Sequence, residues 1–220
     1  MSRRTILVTG FEPFGGETVN ASWEAAKRID GCRCGDAVAV ARRLCCVYDA
    51  CVAEFIDAFE RLRPEAVLMT GQAARRAVVS VESVARDRAG ASAPDNRGVV
   101  RDEVPSGSPG ELKATARALD VARAIREAGV SARISTNAGD YVCNHLYYGA
   151  LRYLRERAPT TPAVFIHLPA TPGQTPRRAS RSRLATADAA LALKAAIAAM
   201  AKQGARLERG ADLRRRRAQT

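Results

Sequence analysis

The sequence of 220 residues contains no long apolar run, which argues against a helix that crosses a membrane. Such a helix needs roughly 20 consecutive apolar residues. The apolar stretch behind the basic N-terminus ends at Thr9-Gly10, which is too short for the apolar core of an export signal. We therefore expect a cytoplasmic protein that does not bind a membrane.

Histidine is scarce, and the cysteines are not spaced to hold a metal ion. The two histidines are His145 and His167, and Cys32-x-Cys34 lacks the two-residue spacer of a zinc knuckle. We therefore expect no metal site. Five of the six cysteines lie between Cys32 and Cys51, where a reducing compartment would keep them as small, unpaired residues. Nothing in the sequence indicates a function for this cluster.

Aromatic residues make up only 5% of the chain, which bears on the meaning of its strong positive charge. The 35 Lys and Arg residues exceed the 23 Asp and Glu residues, giving a net charge of +12. Such an excess raises the question of a nucleic-acid partner. However, the arginines are scattered, and no aromatic residues alternate with them as in RNA-binding motifs. We therefore expect no nucleic-acid partner, and an Arg-rich tail without regular structure over residues 206–220.

Short apolar runs alternate with segments of helical periodicity along most of the chain. The predicted strands cover residues 5–9, 38–44, 66–70, 78–84, 132–135 and 163–168. The predicted helices cover residues 21–29, 49–62, 111–128, 143–157 and 185–202. This alternation predicts a three-layer α/β/α sandwich with a largely parallel, mixed and twisted sheet. No repeat or linker divides the chain, so we expect a single domain over residues 1–205.

Cys143 stands apart from the other cysteines, at the start of a predicted helix that follows a strand. The first turn of a helix offers unpaired backbone N–H groups and the positive end of the helix dipole. Both favour the nucleophilic thiolate, and the N–H groups could also hold a developing oxyanion. The alternative is an inert cysteine that happens to lie near a helix start.

A nucleophilic cysteine needs a proton carrier and a group that orients it. His145 lies two residues after Cys143 and faces another side of the helix, whereas His167 ends an apolar strand, where active-site residues of open sheets gather. Glu82 lies in an apolar, strand-like run, and a buried carboxylate is costly unless paired. Asp95 is the competing carboxylate. The alternatives are a core histidine at 167, an edge charge at 82 and a turn at 95.

The segment Gly10–Gly16 is rich in glycine and lies between a strand and a helix, as phosphate-binding loops do. It lacks both Gly-Lys-Ser/Thr and the G-x-G-x-x-G pattern, so a phosphate site is not expected. Phe11 and Phe14 lie at the end of the strand, where they could line an apolar pocket. Alternatively, they fold back onto the core.

Separated blocks of sequence, taken in order, carry a resemblance to a known family. The main blocks are Val8-Thr9-Gly10-Phe11-Glu12-Pro13-Phe14-Gly15-Gly16 with Asn20, Ala138-Gly139-Asp140-Tyr141-Val142-Cys143-Asn144-His145, and Phe165-Ile166-His167-Leu168-Pro169. Between them fall Gly71-Gln72-Ala73, Glu82-Ser83-Val84-Ala85 and Pro94-Asp95-Asn96. From Ile6 to about Lys202 the chain thereby resembles the pyroglutamyl peptidase I family of cysteine peptidases, which has corresponding stretches in the same order.

The resemblance implies an exopeptidase that removes an N-terminal pyroglutamyl residue from peptides. It implies that Cys143 is the nucleophile, that His167 is the general base and then the acid, and that Glu82 orients the imidazole. The reaction would pass through a thioester that water hydrolyses, without a cofactor.

The resemblance also implies a small pocket for the pyroglutamyl ring. Its walls would be Phe11, Phe14 and Tyr141, with Val142 beside them, and Gln72 would contact the ring amide. Such contacts would reject proline, because the polar groups of the site would be left unpaired. The family further implies a homo-oligomer, a tetramer.

The chain departs from the family at several positions near these residues. Ser92 replaces an arginine, Ala74-Arg75-Arg76 replaces Gly-Gly-Arg, Ser83 replaces an arginine and Tyr141 replaces a phenylalanine. An alternative function follows: a relative on the same scaffold that hydrolyses a different small amide or lactam, with weak or no activity on pyroglutamyl substrates.

Overall fold

The computed structural model describes residues 4–101, 110–174 and 183–217, with side chains up to residue 203. Nine strands and five helices lie in these ranges. The strands are β1 (Arg4–Phe11), β2 (Arg33–Cys34), β3 (Ala37–Leu44), β4 (Ala66–Gln72), β5 (Val79–Glu82), β6 (Val84–Arg86), β7 (Glu111–Lys113), β8 (Ala132–Ser135) and β9 (Ala163–Leu168). The helices are α1 (Ala21–Arg28), α2 (Ala50–Leu62), α3 (Ala118–Glu127), α4 (Val142–Arg157) and α5 (Thr186–Arg217).

Seven strands form one mixed sheet in the order β2-β3-β1-β4-β9-β5-β8. The central pairs β1–β3, β1–β4 and β4–β9 are parallel, as is β5–β8. Strand β5 is antiparallel to β9, and the short β2 is antiparallel to β3. Strands β6 and β7 pair separately in a two-stranded ribbon. The predicted α/β class with a largely parallel, mixed sheet is confirmed.

Helices cover both faces of the sheet, because successive residues of a strand point to opposite sides. In β1, Ile6 and Val8 belong to the core cluster that also contains buried residues of α1, α3 and α5. Leu7 and Phe11 belong to the second cluster, on the opposite face, with α2 and α4. The same alternation in β4, β5 and β9 decides which polar side chains face α4.

Two predicted elements differ from the observed ones because strand pairing overrides local propensity. The run 78–84, predicted as one strand, is divided into β5 and β6, which belong to different sheets. The predicted helix 111–128 begins only at Ala118, because Glu111–Lys113 pairs with Val84–Arg86 as β7. Residues 111–113 are therefore part of the two-stranded ribbon of β6 and β7.

Helix α5 is longer than the predicted helix 185–202 and continues to Arg217. Its backbone is therefore helical in part of the segment 206–220, for which no regular structure was predicted. Alanine, leucine and arginine all have high helix propensity, and they dominate this segment. Residues 218–220 lie outside the described residues. In the part of the chain that is described, none of the helices is both long and apolar enough to span a membrane.

Candidate active site

A cavity of about 1030 Å³ lies where strands β4 and β9 end. Its lining combines short segments from distant parts of the chain with the side chains of Cys143 and His167. The segments are 14–19, 72–76, 90–93, 138–141 and 172–174. A cleft at the carboxyl ends of strands is the usual place for a ligand in an open α/β sheet.

Cys143 is the second residue of α4, and its sulfur packs against the backbone of β4. A Cβ atom built on Gly71 would lie 2.8 Å from Cys143 Sγ and 2.9 Å from Cζ of Phe165. Gly71 is also the register partner of His167 in the parallel pair β4–β9. The absence of a side chain at residue 71 therefore lets the thiol approach the strand that carries His167.

Replacing Gly71 with alanine is expected to lower kcat/KM about a hundredfold, because the new methyl group displaces the sulfur by a few tenths of an ångström or more. Steady-state assays on the purified variant would measure this loss. Gly149→Ala is the matched control, since its Cβ also meets side-chain atoms at 2.8 Å, but those of Val52. Equal activity losses in both variants would show that packing strain, and not the position of the thiol, causes the effect.

Glu82 and His167 form a buried pair on the same face of the sheet as Cys143. His167 Nδ1 lies 2.8 Å from Oε1 of Glu82, and the two residues are 3% and 0% exposed. In the antiparallel pair β5–β9, Glu82 stands opposite Phe165, so His167 is its diagonal neighbour two residues along. The Tyr147 hydroxyl donates to the backbone carbonyl of Glu82 at 2.9 Å, which ties this strand end to α4.

Burial shifts the pKa of Cys143 and the pKa of His167, and it does so in opposite directions. It raises the pKa of the Cys143 thiol, and the nearby Cys46 and Glu82 add to the rise. Burial likewise lowers the pKa of His167, although Glu82 opposes this shift. The helix start was predicted to favour the thiolate, but desolvation outweighs it. Both shifts favour the neutral forms, a thiol and an imidazole that can act as the base.

His145 and Asp95, the competing candidates for the base and the orienting group, are not among the described residues that line the cavity. His145 Nε2 is 2.9 Å from Oδ1 of Asp49, and its ring packs edge-on against Tyr48. Asp95 accepts hydrogen bonds from the backbone N–H groups of Tyr48, Arg97 and Val99. It therefore stabilises a turn, as the alternative interpretation predicted. Of the two histidines, His167 is the one that lines the cavity.

The structure separates the predicted pocket residues into two groups. Phe14 and Tyr141 line the cavity with their ring centroids 5.7 Å apart, and the Tyr141 hydroxyl donates to the carbonyl of Pro94 at 2.8 Å. Phe11 and Val142 are buried in the core cluster instead, and neither is among the described residues of the cavity lining. Phe11 shares the inward face of β1 with Leu7, so alternation along the strand places it in the core.

Gln72 also lines the cavity, and its side chain is held by two neighbours. Its Oε1 accepts from the backbone N–H of Ala21 at 2.7 Å and from Nε2 of Gln174 at 3.1 Å. Gln174 Nε2 also donates to the carbonyl of Val19 at 3.1 Å. Sequence analysis did not single out Gln174. The only signal in the sequence is that Gln174 is a polar residue shortly after the block that contains His167.

Arg76 is the second residue that sequence analysis missed as a part of the site. Its Nη1 lies 2.7 Å from Oε1 of Glu82, in an ion pair that is not aligned as a hydrogen bond. A buried carboxylate in a strand calls for a nearby cation, and this requirement was the available signal. The neighbouring Arg75 is exposed at the cavity wall, together with Ser92.

The cysteine cluster between Cys32 and Cys51 consists of free thiols. Cys46 contacts a residue of the cavity wall, with its sulfur 3.8 Å from the Tyr141 hydroxyl, and burial raises the pKa of this thiol to about 12. Among the described residues, no three His, Cys, Asp or Glu side chains are grouped to hold a metal ion.

Comparisons with known proteins identify the family of this chain. The family model described as pyroglutamyl peptidase matches residues 4–203. A pyrrolidone-carboxylate peptidase of Cupriavidus necator is 40% identical over 198 residues, which are 89% of this chain and 92% of that protein. A pyrrolidone-carboxylate peptidase of Klebsiella pneumoniae is 39% identical over 200 residues, covering 90% and 93% of the two chains.

Solved structures show the same relationship. The crystal structure of pyroglutamyl peptidase I from Bacillus amyloliquefaciens superposes with a TM-score of 0.86 at 33% identity, covering 91% of this chain and 98% of that chain. The pyrrolidone carboxyl peptidase from Thermococcus litoralis gives 0.83 at 27% identity, with coverage of 90% and 94%. Sequence, fold and cavity lead to one conclusion: the chain belongs to the pyroglutamyl peptidase family.

Proposed function

We propose that this protein is a cysteine exopeptidase that removes N-terminal pyroglutamyl residues from peptides. One observation carries the proposal: Cys143 and His167 line the same cavity, and Glu82 holds Nδ1 of that histidine at 2.8 Å. Nucleophile, base and orienting group are the three parts of a thiol hydrolase. The family membership supports the pyroglutamyl residue as the group that is released.

In the first step, Nε2 of His167 takes the proton of the Cys143 thiol as the sulfur attacks the pyroglutamyl carbonyl carbon. The Nδ1–H group donates to Glu82, which stabilises the imidazolium that forms. The carbonyl oxygen becomes an oxyanion. The first N–H groups of a helix have no partner within the helix, so the start of α4 can stabilise that charge.

In the second step, the tetrahedral intermediate collapses and the bond from carbon to nitrogen breaks. His167 returns its proton to the leaving amine, and the shortened peptide departs. A thioester between Cys143 and the pyroglutamyl group remains. His167 then takes a proton from water, whose oxygen attacks the thioester, and the proton passes to the sulfur as free pyroglutamate leaves.

Selectivity for the flat lactam ring follows from the residues around the thiol. Phe14 and Tyr141 offer apolar walls beside Cys143. Oxygen Oε1 of Gln72 is engaged by Ala21 and Gln174, so its amide N–H group is the part that would donate to the ring carbonyl. Proline lacks that carbonyl and would leave the donor unpaired, so we expect it to be rejected.

A fluorogenic pyroglutamyl amide tests the proposal directly. We expect rapid release of the fluorophore, with a prolyl amide cleaved at least about a thousandfold more slowly. Preincubation with iodoacetamide should abolish the release, because alkylation consumes the thiol. Absence of turnover by folded, reduced protein would contradict the assignment.

A second candidate function is the hydrolysis of a different small amide or lactam on the same scaffold. Ser92 and the exposed Arg75 at the cavity wall favour it, since both are departures from the family sequence. Slow turnover of the pyroglutamyl amide, combined with readily alkylated Cys143, would favour this candidate over the first.

We also propose that residues 1–205 form one peptidase domain, with residues 206–220 as its C-terminal extension. The family match, which ends at residue 203, supports this division. We further propose a cytoplasmic location and assembly into a tetramer. Light scattering in solution would measure the number of chains in the assembly.

A further inference from the structure

Arg76 connects three separate segments around the candidate active site. It lies in the loop after β4, where its backbone N–H donates to the carbonyl of Ala73 at 2.9 Å. Its Nη1 contacts Oε1 of Glu82 at 2.7 Å, and its Nη2 donates to the carbonyl of Asn137 at 2.6 Å. Asn137 belongs to the loop that leads into α4 and Cys143. One guanidinium therefore joins the loop after β4, the end of β5 and the approach to α4.

Glu82 is a buried carboxylate with two partners, Arg76 and His167. Its side chain is fully buried, and Oε1 is the oxygen that faces both Arg76 and His167. The other oxygen, Oε2, has no hydrogen-bond partner among the described residues. Because a neutral imidazole carries no charge, the Arg76 guanidinium is the cation that compensates this carboxylate in the resting site. Removal of one partner from a buried ion pair is costly, because the other charge is left uncompensated.

We propose that Arg76 is a positioning residue of the active site, which holds the Glu82 carboxylate in place so that His167 presents an unprotonated Nε2 to Cys143. The proposal rests on the function proposed above. The Glu82 carboxylate accepts the Nδ1–H hydrogen bond and thereby selects the tautomer with a free Nε2. A displaced carboxylate would no longer select this tautomer, so the ring proton could occupy Nε2 and remove the base.

The other titratable groups near the site do not replace this charge. Other titratable groups that interact with Cys143 or Glu82 are thiols and phenols whose pKa is raised by burial, which favours their neutral forms: Cys46, Cys51, Tyr48, Tyr141 and Tyr147. Arg76 lowers the pKa of both Cys143 and His167 through its charge. Loss of Arg76 therefore raises both values, and we expect the acid limb of activity to move to higher pH.

The pH dependence of kcat/KM in Arg76→Gln and Arg76→Lys tests the proposal. The acid limb is the fall of kcat/KM toward low pH. In the unmodified protein it should lie below pH 6.5, the ordinary pKa of histidine, because burial lowers the pKa of His167. Arg76→Gln should move the limb up by about one pH unit and lower kcat at least about tenfold, with KM little changed. Arg76→Lys keeps the charge and should keep the limb, while kcat falls severalfold because one ammonium cannot bridge Glu82 and Asn137.

The matched control is Arg61→Gln, which removes an exposed ion pair with Asp57 of nearly the same length, 2.8 Å. It should leave the pH profile and kcat unchanged. An unshifted acid limb in folded Arg76→Gln would overturn the proposal, as would equal shifts in the Gln and Lys variants. If Arg76→Gln fails to fold, a shifted limb in Arg76→Lys would still contradict the role of the charge.

Alkylation of Cys143 by iodoacetamide gives a readout that needs no substrate. Mass mapping of the Cys143 peptide at pH 8 should show about tenfold slower modification in Arg76→Gln than in the unmodified protein. This effect should persist even if pyroglutamyl amides are not cleaved, so failure of the proposed function and failure of the Arg76 proposal are distinguishable. Equal alkylation rates would contradict the proposal.

Discussion

Replacement of Cys143 with alanine is expected to lower kcat/KM for a pyroglutamyl amide by about 10⁴-fold or more, with folding retained. The sulfur is the atom that forms the thioester, and neither backbone N–H groups nor the pocket can replace it. The helix should tolerate alanine, since the residue is already small and buried in the first turn of α4. Release of the fluorophore measures the rate, and circular dichroism verifies the fold.

Cys34→Ala is the matched control for this loss. Cys34 and Cys143 are both 7% exposed, but Cys34 belongs to the core on the opposite face of the sheet. Its replacement removes the same sulfur from a similarly buried position and should leave kcat/KM within about twofold of the unmodified protein. More than about one per cent residual activity in Cys143→Ala would show that another group is the nucleophile.

Replacement of Glu82 with glutamine is expected to lower kcat by about 10³- to 10⁴-fold while KM changes little. The amide is nearly isosteric with the carboxylate, so the cavity keeps its shape. It carries no charge, however, and can donate a hydrogen bond to Nδ1 of His167. The histidine then holds its proton on Nε2, and it can neither accept the proton of the thiol nor gain stabilisation as an imidazolium.

Thermal unfolding and a control variant separate this effect from a loss of stability. Glu111→Gln removes a carboxylate that pairs with Arg86 at 2.9 Å on an exposed edge, and kcat should not change. Glu82→Gln leaves the Arg76 cation without its partner, so some decrease in Tm is expected as well. Activity within about tenfold of the unmodified protein, measured well below Tm, would contradict an orienting role for Glu82.

The short apolar runs that form the strands were readable from the sequence, and their ends already imply much of the site. In β9, Val164 and Ile166 alternate with Phe165 and His167, so that one apolar face forms one core and His167 joins the opposite face. Local sequence also singled out two further residues. Cys143 was recognisable because it starts a helix after β8, and Glu82 because it lies in an apolar run. Local periodicity and turn residues carry this information.

The partners of those residues depended on the direction and order of the strands, which local sequence does not encode. Strand β5 runs antiparallel to β9, and this direction places Glu82 diagonally opposite His167. The same arrangement brings Arg76 from the neighbouring loop onto the buried carboxylate. Periodicity predicted a single strand over 78–84, and nothing in that pattern shows where β5 ends and the separate β6 begins.

The sequence by itself determined the alternation of strands and helices, the family, and the nucleophile and base candidates, because these follow from local pattern and ordered motifs. Only the tertiary structure decided that Phe11 belongs to the core, that Gln174 holds Gln72, and that burial raises the pKa of the Cys143 thiol. Each of these depends on burial and on contacts between residues far apart in the chain. Desolvation and pairing of charges arise only when the sheet and its helices enclose the site.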